Sequence, residues 1–469
     1  MMLNLYNTLS RRKEVFKPIK RGAVGFYACG PTVYSNQHLG NYRTFILNDL
    51  LKRALVREGY RVKHIMNVTD VGHLTGDNLG DADVGKDRIE ESAKREGKSA
   101  LEVAKYYTDA FLGDLRVLNI LSPTKLVKAT AHIKEMIALI RTLEKKGYTY
   151  TIKDGVYFDT SKFKSYGKLS QQTGGKRAGA RVEPVAGKKN PADFALWKFS
   201  KPNEKRQMEW KSQWGVGFPG WHIECSAMSM RYLGKTFEIH SGGEDHIAIH
   251  HENEIAQSEA ATGKQFVKYW VHGRFMMVDG KRMGKSEGNA FIPQDLVAKG
   301  YNPLSFRYLA LGSHYRARLN FTWEALSGAQ SALHKLYHDF ALFGFIGKES
   351  GKKGDTKKYE KAFFASVNDD LNISKALAVV HELIADNKVS AILKRKLLLE
   401  FDNILGLGLN NSDKLAKPPA EIRKLVVERE RSRIHKQFTK ADTFRAKIEK
   451  LGYIVEDTSE GPFVWPTKM

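Results

Sequence analysis

The sequence predicts an α/β domain built on a parallel sheet and interrupted by an insertion, followed by a mainly α-helical C-terminal region. Three observations carry this. An apolar run at 23–28 leads through a glycine-bearing turn into a periodic helix and then a second apolar run at 61–68. Strand, helix, strand with short links is a βαβ unit, whose strands are parallel. The same texture returns at 236–278, and from 294 to about 405 nearly every window reads as helix.

Taken in order, the first helix covers about 42–58 and stops at Gly59. Ile46, Leu50 and Ala54, with Leu47, Leu51 and Leu55, form the stripe that packs on a sheet. The turn before it contains Cys29 at the strand end and His38 just before the helix. Such a turn is either a phosphate site, where free N–H groups and the helix dipole converge, or simply a connection. Segment 75–86 is rich in Gly and Asp but lacks the twelfth-position Glu of a Ca²⁺ loop, so it reads as a loop. Two long amphipathic helices follow at about 87–119, broken near Gly97, and 129–146.

From 149 to 212 short β-like runs (155–158, 180–182, 194–197) alternate with Gly- and Lys-rich loops such as 174–177, the texture of an insertion. The α/β pattern resumes with a strand at 236–239, a turn at 240–246, a helix at about 247–261 closed by Gly263, and a strand at 268–278. A basic loop occupies 280–289. Helices are predicted at 303–311, 322–343, 359–368, 373–387 and 392–405, with a linker at 347–357. After a boundary at 410–419 come one or two charged helices (420–451) and a hairpin (453–456 with 463–465). The domain division is therefore 1–148 and 213–292 for the two halves of the α/β domain, 149–212 for the insertion, 293–412 for a helical bundle and 413–469 for a small C-terminal domain.

Of 469 residues, 42% are hydrophobic and 27% charged, as in a globular protein. No run of 18 apolar residues exists, so no membrane-spanning helix is predicted, and residues 1–12 lack a secretion-signal core. A cytoplasmic protein is expected. The net charge of +24, from 76 Lys and Arg against 52 Asp and Glu, suits a polyanionic partner. The two cysteines, Cys29 and Cys225, favour metal binding or catalysis over a disulfide in a reducing compartment.

Cys225 lies in Gly220-Trp221-His222-Ile223-Glu224-Cys225-Ser226-Ala227-Met228, upstream of His250-His251-Glu252-Asn253-Glu254. His250 and Glu254 are four apart on one helix face and can share an ion. Two thiolates, an imidazole and a carboxylate suit Zn²⁺. His246 is also four from His250, and His251 is three from Glu254; spacing does not choose among them. Gly284-Lys285-Ser286 is not a P-loop, because Gly280 leaves three intervening residues where four are needed. A basic loop folding over a nucleotide is the functional reading of that segment.

Together these residues resemble the cysteinyl-tRNA synthetases, within the class I aminoacyl-tRNA synthetases. His38-Leu39-Gly40-Asn41 looks like the HIGH signature and Arg282-Met283-Gly284-Lys285-Ser286 like the KMSKS loop. The blocks at 220–228 and 250–258, together with Cys29-Gly30-Pro31-Thr32-Val33-Tyr34 and Asp193-Phe194-Ala195-Leu196-Trp197-Lys198, are similar to cysteine-specific ones. The resemblance implies a Rossmann-like catalytic domain, a connective insertion and a helical anticodon-binding region. It implies Zn²⁺ on Cys29, Cys225, His250 and Glu254, and a cysteine pocket including Thr32, Trp221 and His240. His38, Asn41 and Lys285 would act on the phosphates, with Gly40 at the same turn and Gly242, Gly243 and Asp245 near adenosine. ATP would come with Mg²⁺, tRNA(Cys) and L-cysteine would be the other substrates, and the chain would act as a monomer.

Asn41 stands in place of the second His of HIGH, and Arg282 and Gly284 replace the first Lys and the Ser of KMSKS. Asn41 keeps a hydrogen-bond donor without a cation's charge, and Arg282 keeps the charge. A related zinc-dependent ligase that joins cysteine to a small amino sugar shares the catalytic blocks. The basic C-terminal stretch with Arg423, Lys424, Arg429, Arg431, Arg433 and Lys436 favours RNA instead. A non-catalytic zinc protein that binds nucleic acid is the remaining class of reading.

Overall fold

Five parallel strands organise the α/β part of the molecule. The computed structural model describes residues 2–71, 74, 85–171, 185–201, 206–284, 287–347 and 354–468. Residues 75–84 of the loop expected at 75–86, the loop at 174–177, the run at 180–182, and Lys285 and Ser286 lie outside the described residues. Across the sheet the strands run Val267–Gly273, Phe237–Gly243, Ala23–Ala28, Arg61–Val68, Lys125–Lys128. All four pairings are parallel. In chain order this is 3-2-1-4-5, the Rossmann arrangement.

The helix after the first strand spans Leu39–Arg57, starting three residues before the predicted position 42. A capping box explains the early start: His38 Nδ1 accepts from the Asn41 N–H (3.3 Å), and Asn41 Oδ1 accepts from the His38 N–H (3.2 Å). The predicted break near Gly97 is real. Helix Arg88–Glu96 ends there with Gly97 at φ 64°, and Ser99 caps the next helix, Ala100–Val117.

The insertion is a five-stranded antiparallel sheet, ordered Thr149–Ile152, Gly155–Phe158, Phe194–Phe199, Gly215–Pro219, Trp210–Ser212. The last of its strands in chain order ends at Pro219. Buried Trp197, Phe158 and Phe194 share a core with Ile223, Cys225, Ile255 and Trp270 of the parallel-sheet domain.

The run predicted as one strand at 268–278 is split. Val267–Gly273 stays in the parallel sheet, while Met276–Val278 pairs with Leu319–Phe321 and Lys281–Arg282. Between them, Arg43 of the first helix donates to the carbonyls of Arg274 (2.8 Å) and Phe275 (2.9 Å). The Arg274 N–H bonds Tyr315 O at 2.9 Å. With their backbone groups satisfied this way, residues 274–275 leave the ladder at no hydrogen-bond cost.

One element was not anticipated. Asn4–Asn7 and Arg12–Val15 form an antiparallel hairpin that lies along the outer strand Val267–Gly273. The Thr8 N–H donates to Trp270 O (2.8 Å), and Asn7 Nδ2 to Lys268 O (2.9 Å), covering an otherwise open edge.

The helical region (Pro303–Leu311, Trp323–Phe345, Lys357–Asn368, Ile373–Ala385, Ala391–Leu405) locks to the first helix through Arg307. This fully buried guanidinium donates to Asp49 (2.5 Å), Leu405 O (2.7 Å) and Leu118 O (3.2 Å). Beyond it, helices Ala420–Ile434 and Phe438–Lys450 and the hairpin Tyr453–Thr458/Gly461–Pro466 make a small unit of their own. Arg429 is consumed inside it: only 1% exposed, it grips Asp457 with both nitrogens (2.8 and 2.9 Å), so it is unavailable to RNA.

Candidate metal centre and nucleotide site

Strand order reverses between Ala23–Ala28 and Phe237–Gly243, and open α/β sheets bind ligands beyond the strand ends at that point. Cys29 leaves the first of these strands; Gly242 and Gly243 end the second. The Cys29 N–H donates to Ser241 O (3.1 Å), which fixes one turn against the other.

Two helices bring the other donors. Trp221–Leu233 carries His222, Glu224 and Cys225, and His250–Thr262 carries His250, His251 and Glu254. Donor atoms of Cys29, His250, His251 and Glu254 gather within 4.8 Å of one another, all buried. Cys225, 1% exposed, and Cys29 are both free thiols, with no disulfide between them. His246 stands outside that group, half-buried against Gly242, where an added Cβ would lie 2.5 Å from its Nδ1. Of the histidines left open by spacing, the fold thus draws in His251 and leaves out His246.

The chemistry of this donor set fits a soft divalent cation. Burial pushes both thiols up, strongly so for Cys29, raises the Glu254 carboxyl and drops His250 to about 3. Burial and the surrounding histidines push His251 well down too. Neutral imidazole is the ligating form, and a bound cation reverses the preference of the thiols and the carboxyl for their protons. His250 Nε2 and Glu254 Oε1 sit 3.1 Å apart, buried and without a hydrogen-bond partner among the described residues. A cation between this nitrogen and this carboxylate oxygen would satisfy both.

Further polar side chains surround them. His222 Nδ1 meets His250 Nδ1 at 2.9 Å, and His240 Nε2 meets Glu254 Oε2 at 3.1 Å. His240 is fully buried behind Glu254 and stacks on Trp270. Trp221 covers His250, ring centroids 4.1 Å apart. Thr32 pairs with Thr69 in an isolated parallel bridge. Thr69, in turn, donates to Glu224 Oε2 (3.1 Å). Thr69 and His272 were not singled out from the sequence; nothing local marks them, because each reaches the site only through strand pairing.

The other end of the turn is the N-terminus of Leu39–Arg57, whose first turn carries no acidic residue and so favours an anion. Its first N–H donates to Phe291 O (2.8 Å), so the segment after the basic loop is tied to the signature turn. Met283 of that loop is buried, its Sδ 3.3 Å from where a Cβ on Gly40 would stand. The two motifs, remote in sequence, thus touch. Asn41 has spent its oxygen on the cap, leaving its amide N–H₂ as the donor. Asp245 is exposed at the rim beside Gly243.

Residues 15–331 match the family described as tRNA synthetases class I (C) catalytic domain. Among curated relatives, Cysteine--tRNA ligase 1 of Burkholderia lata is 49% identical over 98% of this chain and 96% of its own. The Cysteine--tRNA ligases of Treponema denticola (42%; 99% of each chain) and Thermus thermophilus (40%; 98% and 99%) are similar throughout. Among solved structures, Mycobacterium tuberculosis methionyl-tRNA synthetase bound by methionyl-adenylate shares the fold. Its TM-score is 0.59 at 13% identity, covering 86% of this chain and 95% of that one. A LeuRS–tRNA–LeuAMS complex from Agrobacterium radiobacter gives 0.60 at 10% identity, covering 85% of each. This chain belongs to the cysteine--tRNA ligase family of class I aminoacyl-tRNA synthetases.

Proposed function

We propose that this chain is an ATP-dependent cysteine--tRNA ligase that activates L-cysteine as cysteinyl-adenylate and transfers it to the 3′ end of tRNA(Cys). The observation that carries this reading is one turn with two ends: Cys29 in the buried donor cluster and His38 at the helix N-terminus. Amino acid and triphosphate are thereby held on the same rigid segment.

The amino-acid carboxylate attacks the ATP α-phosphorus, and pyrophosphate leaves. No protein nucleophile is needed; the chain contributes position and charge stabilisation. His38 and the Asn41 amide, on the helix N-terminus, and Lys285 from the basic loop serve the phosphates, which arrive with Mg²⁺. Gly40, Gly242, Gly243 and Asp245 line the nucleotide's approach, while Thr32 and Trp221 border the cysteine pocket, with His240 steadying Glu254 from behind.

Cys29, Cys225, His250 and Glu254 would hold zinc, with His251 nearby. When bound, zinc supplies a contact that prefers a thiolate sulfur to the neutral hydroxyl oxygen that distinguishes serine from cysteine. Shape alone gives about 10- to 200-fold for so small a change. A preference of roughly 10⁴ requires about 5.5 kcal/mol. Absorption spectra of the Co²⁺-substituted protein should change on adding cysteine and not serine; an unchanged spectrum refutes the selection role. Cysteine-dependent ATP–pyrophosphate exchange, with charging of tRNA(Cys), tests the whole function. The amino-sugar alternative is not favoured, since the similarity to cysteine--tRNA ligases continues through the C-terminal helices and hairpin.

A further inference from the structure

Two consecutive side chains of the first helix, Tyr42 and Arg43, reach the two ends of the segment that carries the basic loop. That segment leaves the parallel sheet after Gly273 and rejoins a helix at Pro293–Ala298. At its start Arg43, 6% exposed, donates from Nη1 to Arg274 O (2.8 Å) and Phe275 O (2.9 Å). From Nη2 it donates to His314 O (3.2 Å) and Ala317 O (2.5 Å). The same two residues are held from the other side by Glu244, next to the Gly242-Gly243 turn. Its Oε1 accepts the Phe275 N–H (2.7 Å) and its Oε2 accepts from Arg274 Nη1 (2.8 Å).

The far end is tied through a shared carboxylate. Asp114 of helix Ala100–Val117, 2% exposed, accepts from the Tyr42 hydroxyl on Oδ2 (2.6 Å) and from Gln294 Nε2 on Oδ1 (2.6 Å). The Leu39 N–H on Phe291 O adds a backbone tie just before it. Residues 39–43 thus hold both 274–275 and 291–294, while Met283 from between them is buried beside Gly40. The residue types suit these tasks. Four N–H groups on the two terminal nitrogens of a planar guanidinium meet four carbonyls from two separate segments. A lysine offers three N–H bonds from a single atom and cannot span that set.

We propose that Tyr42 and Arg43 are positioning residues that fix the two ends of the basic loop against the N-terminus of the first helix, Arg43 directly and Tyr42 through Asp114 and Gln294. The basic side chains of the loop and the helix N-terminus then face the triphosphate at a set separation. Their loss should slow adenylate formation, because positioning errors of about 1 Å cost on the order of 10²-fold. Transfer of the acyl group to tRNA should be spared, since pyrophosphate has left by then. The inference rests on the ligase reading above and adds to it the residues that join its two phosphate-handling motifs.

The test uses the full-length zinc-loaded protein and two rates: cysteine-dependent ATP–pyrophosphate exchange, and single-turnover transfer to tRNA(Cys) from the purified enzyme–cysteinyl-adenylate complex. Arg43→Lys should slow exchange by about 10²-fold, with the KM for cysteine, the zinc content and the transfer rate unchanged. Tyr42→Phe keeps the ring on Phe111 and removes only the hydroxyl. Gln294→Ala alters an exposed side chain. Each should slow exchange on the order of 10-fold, the worth of one hydrogen bond to a charged group. The double variant should be no slower than the slower single one, because both act through one carboxylate. Wild-type exchange in all the single variants overturns the inference. So do losses that fall equally on exchange and transfer, or multiplicative losses in the double variant. If Arg43→Lys does not fold, Tyr42→Phe and Gln294→Ala decide. A wild type without cysteine-dependent exchange overturns the ligase reading and this inference with it, whereas an active wild type with equally active variants overturns only the latter.

Discussion

Replacing Gly30 with alanine should disable the enzyme without touching any reacting group. Gly30 follows Cys29, and its N–H is held by Asn67 Oδ1 at 2.9 Å. A Cβ there would lie 1.8 Å from Asn67 O and 2.9 Å from Met66 Cγ. Met66 can swing aside, but the carbonyl belongs to Arg61–Val68, flanked by strands on both sides. An ordinary contact begins near 3.4 Å, so the turn must move by about 1.6 Å. Cys29 and Thr32 move with it. A misplacement of about 1 Å costs on the order of 10²-fold in rate, or about 2.7 kcal/mol of transition-state stabilisation. Overpacking should add a stability loss of about 1–3 kcal/mol. The assays are zinc content, cysteine-dependent ATP–pyrophosphate exchange and thermal melting. Gly113→Ala is the control: in helix Ala100–Val117, its Cβ would meet nothing nearer than Arg116 Nη2 at 4.0 Å. That variant should gain about 0.5–1 kcal/mol. A Gly30→Ala protein with wild-type zinc, exchange rate and melting point would refute the reasoning, because the backbone would then have yielded freely where the sheet should hold it.

Arg307→Met leaves Asp49 buried with only Arg53 and the Leu121 N–H as partners, and should cost about 3–5 kcal/mol. Adding Asp49→Asn should recover part of that in urea unfolding, and strictly additive losses would count against a coupled pair. Burial raises the Asp49 carboxyl, but Arg307 and Arg53 outweigh it and the net shift is downward. Its contribution is therefore complete above about pH 4, the unfolded value, and is lost as pH falls through the lower folded value. Glu252→Gln should loosen the insertion, since its carboxylate accepts the N–H groups of Gly167, Leu169 and Ser170 at 2.8–2.9 Å; faster proteolysis within 167–170 is the readout, and an unchanged rate sinks it. His338 pairs with Asp339 (3.1 Å) and with Glu456 of the C-terminal hairpin (2.9 Å). Burial pulls its pKa down, yet these carboxylates raise it overall. Hairpin docking should then be tightest below about pH 6.5 and weaken as pH rises through the folded value. Hydrogen exchange of the hairpin, flat with pH in His338→Gln, checks this.

The local pattern determined a great deal. Periodicity and stop signals located Pro303–Leu311 without error and Leu39–Arg57 to within three residues. The βαβ texture gave the parallel sheet, because short links between apolar runs leave few topologies. Helical spacing paired His250 with Glu254, which stand 3.1 Å apart. These are properties of adjacent residues, and adjacency is what a sequence displays.

Tertiary structure decided the rest. Spacing could not choose between His246 and His251; the packing of His250–Thr262 against the sheet turned only His251 toward Cys29. Asn41, legible as a weakened phosphate donor, also proves to be half of a capping box. Arg429, legible as a charge for RNA, is buried on Asp457. The strand predicted at 268–278 breaks because Arg43, far away in the chain, supplies its carbonyls with donors. The hairpin carrying Thr8 gave no periodic signal strong enough to be read, yet its hydroxyl reaches His272. In each case the deciding partner comes from a distant segment, and a group's charge, exposure and hydrogen-bond role are set by whatever the fold places against it.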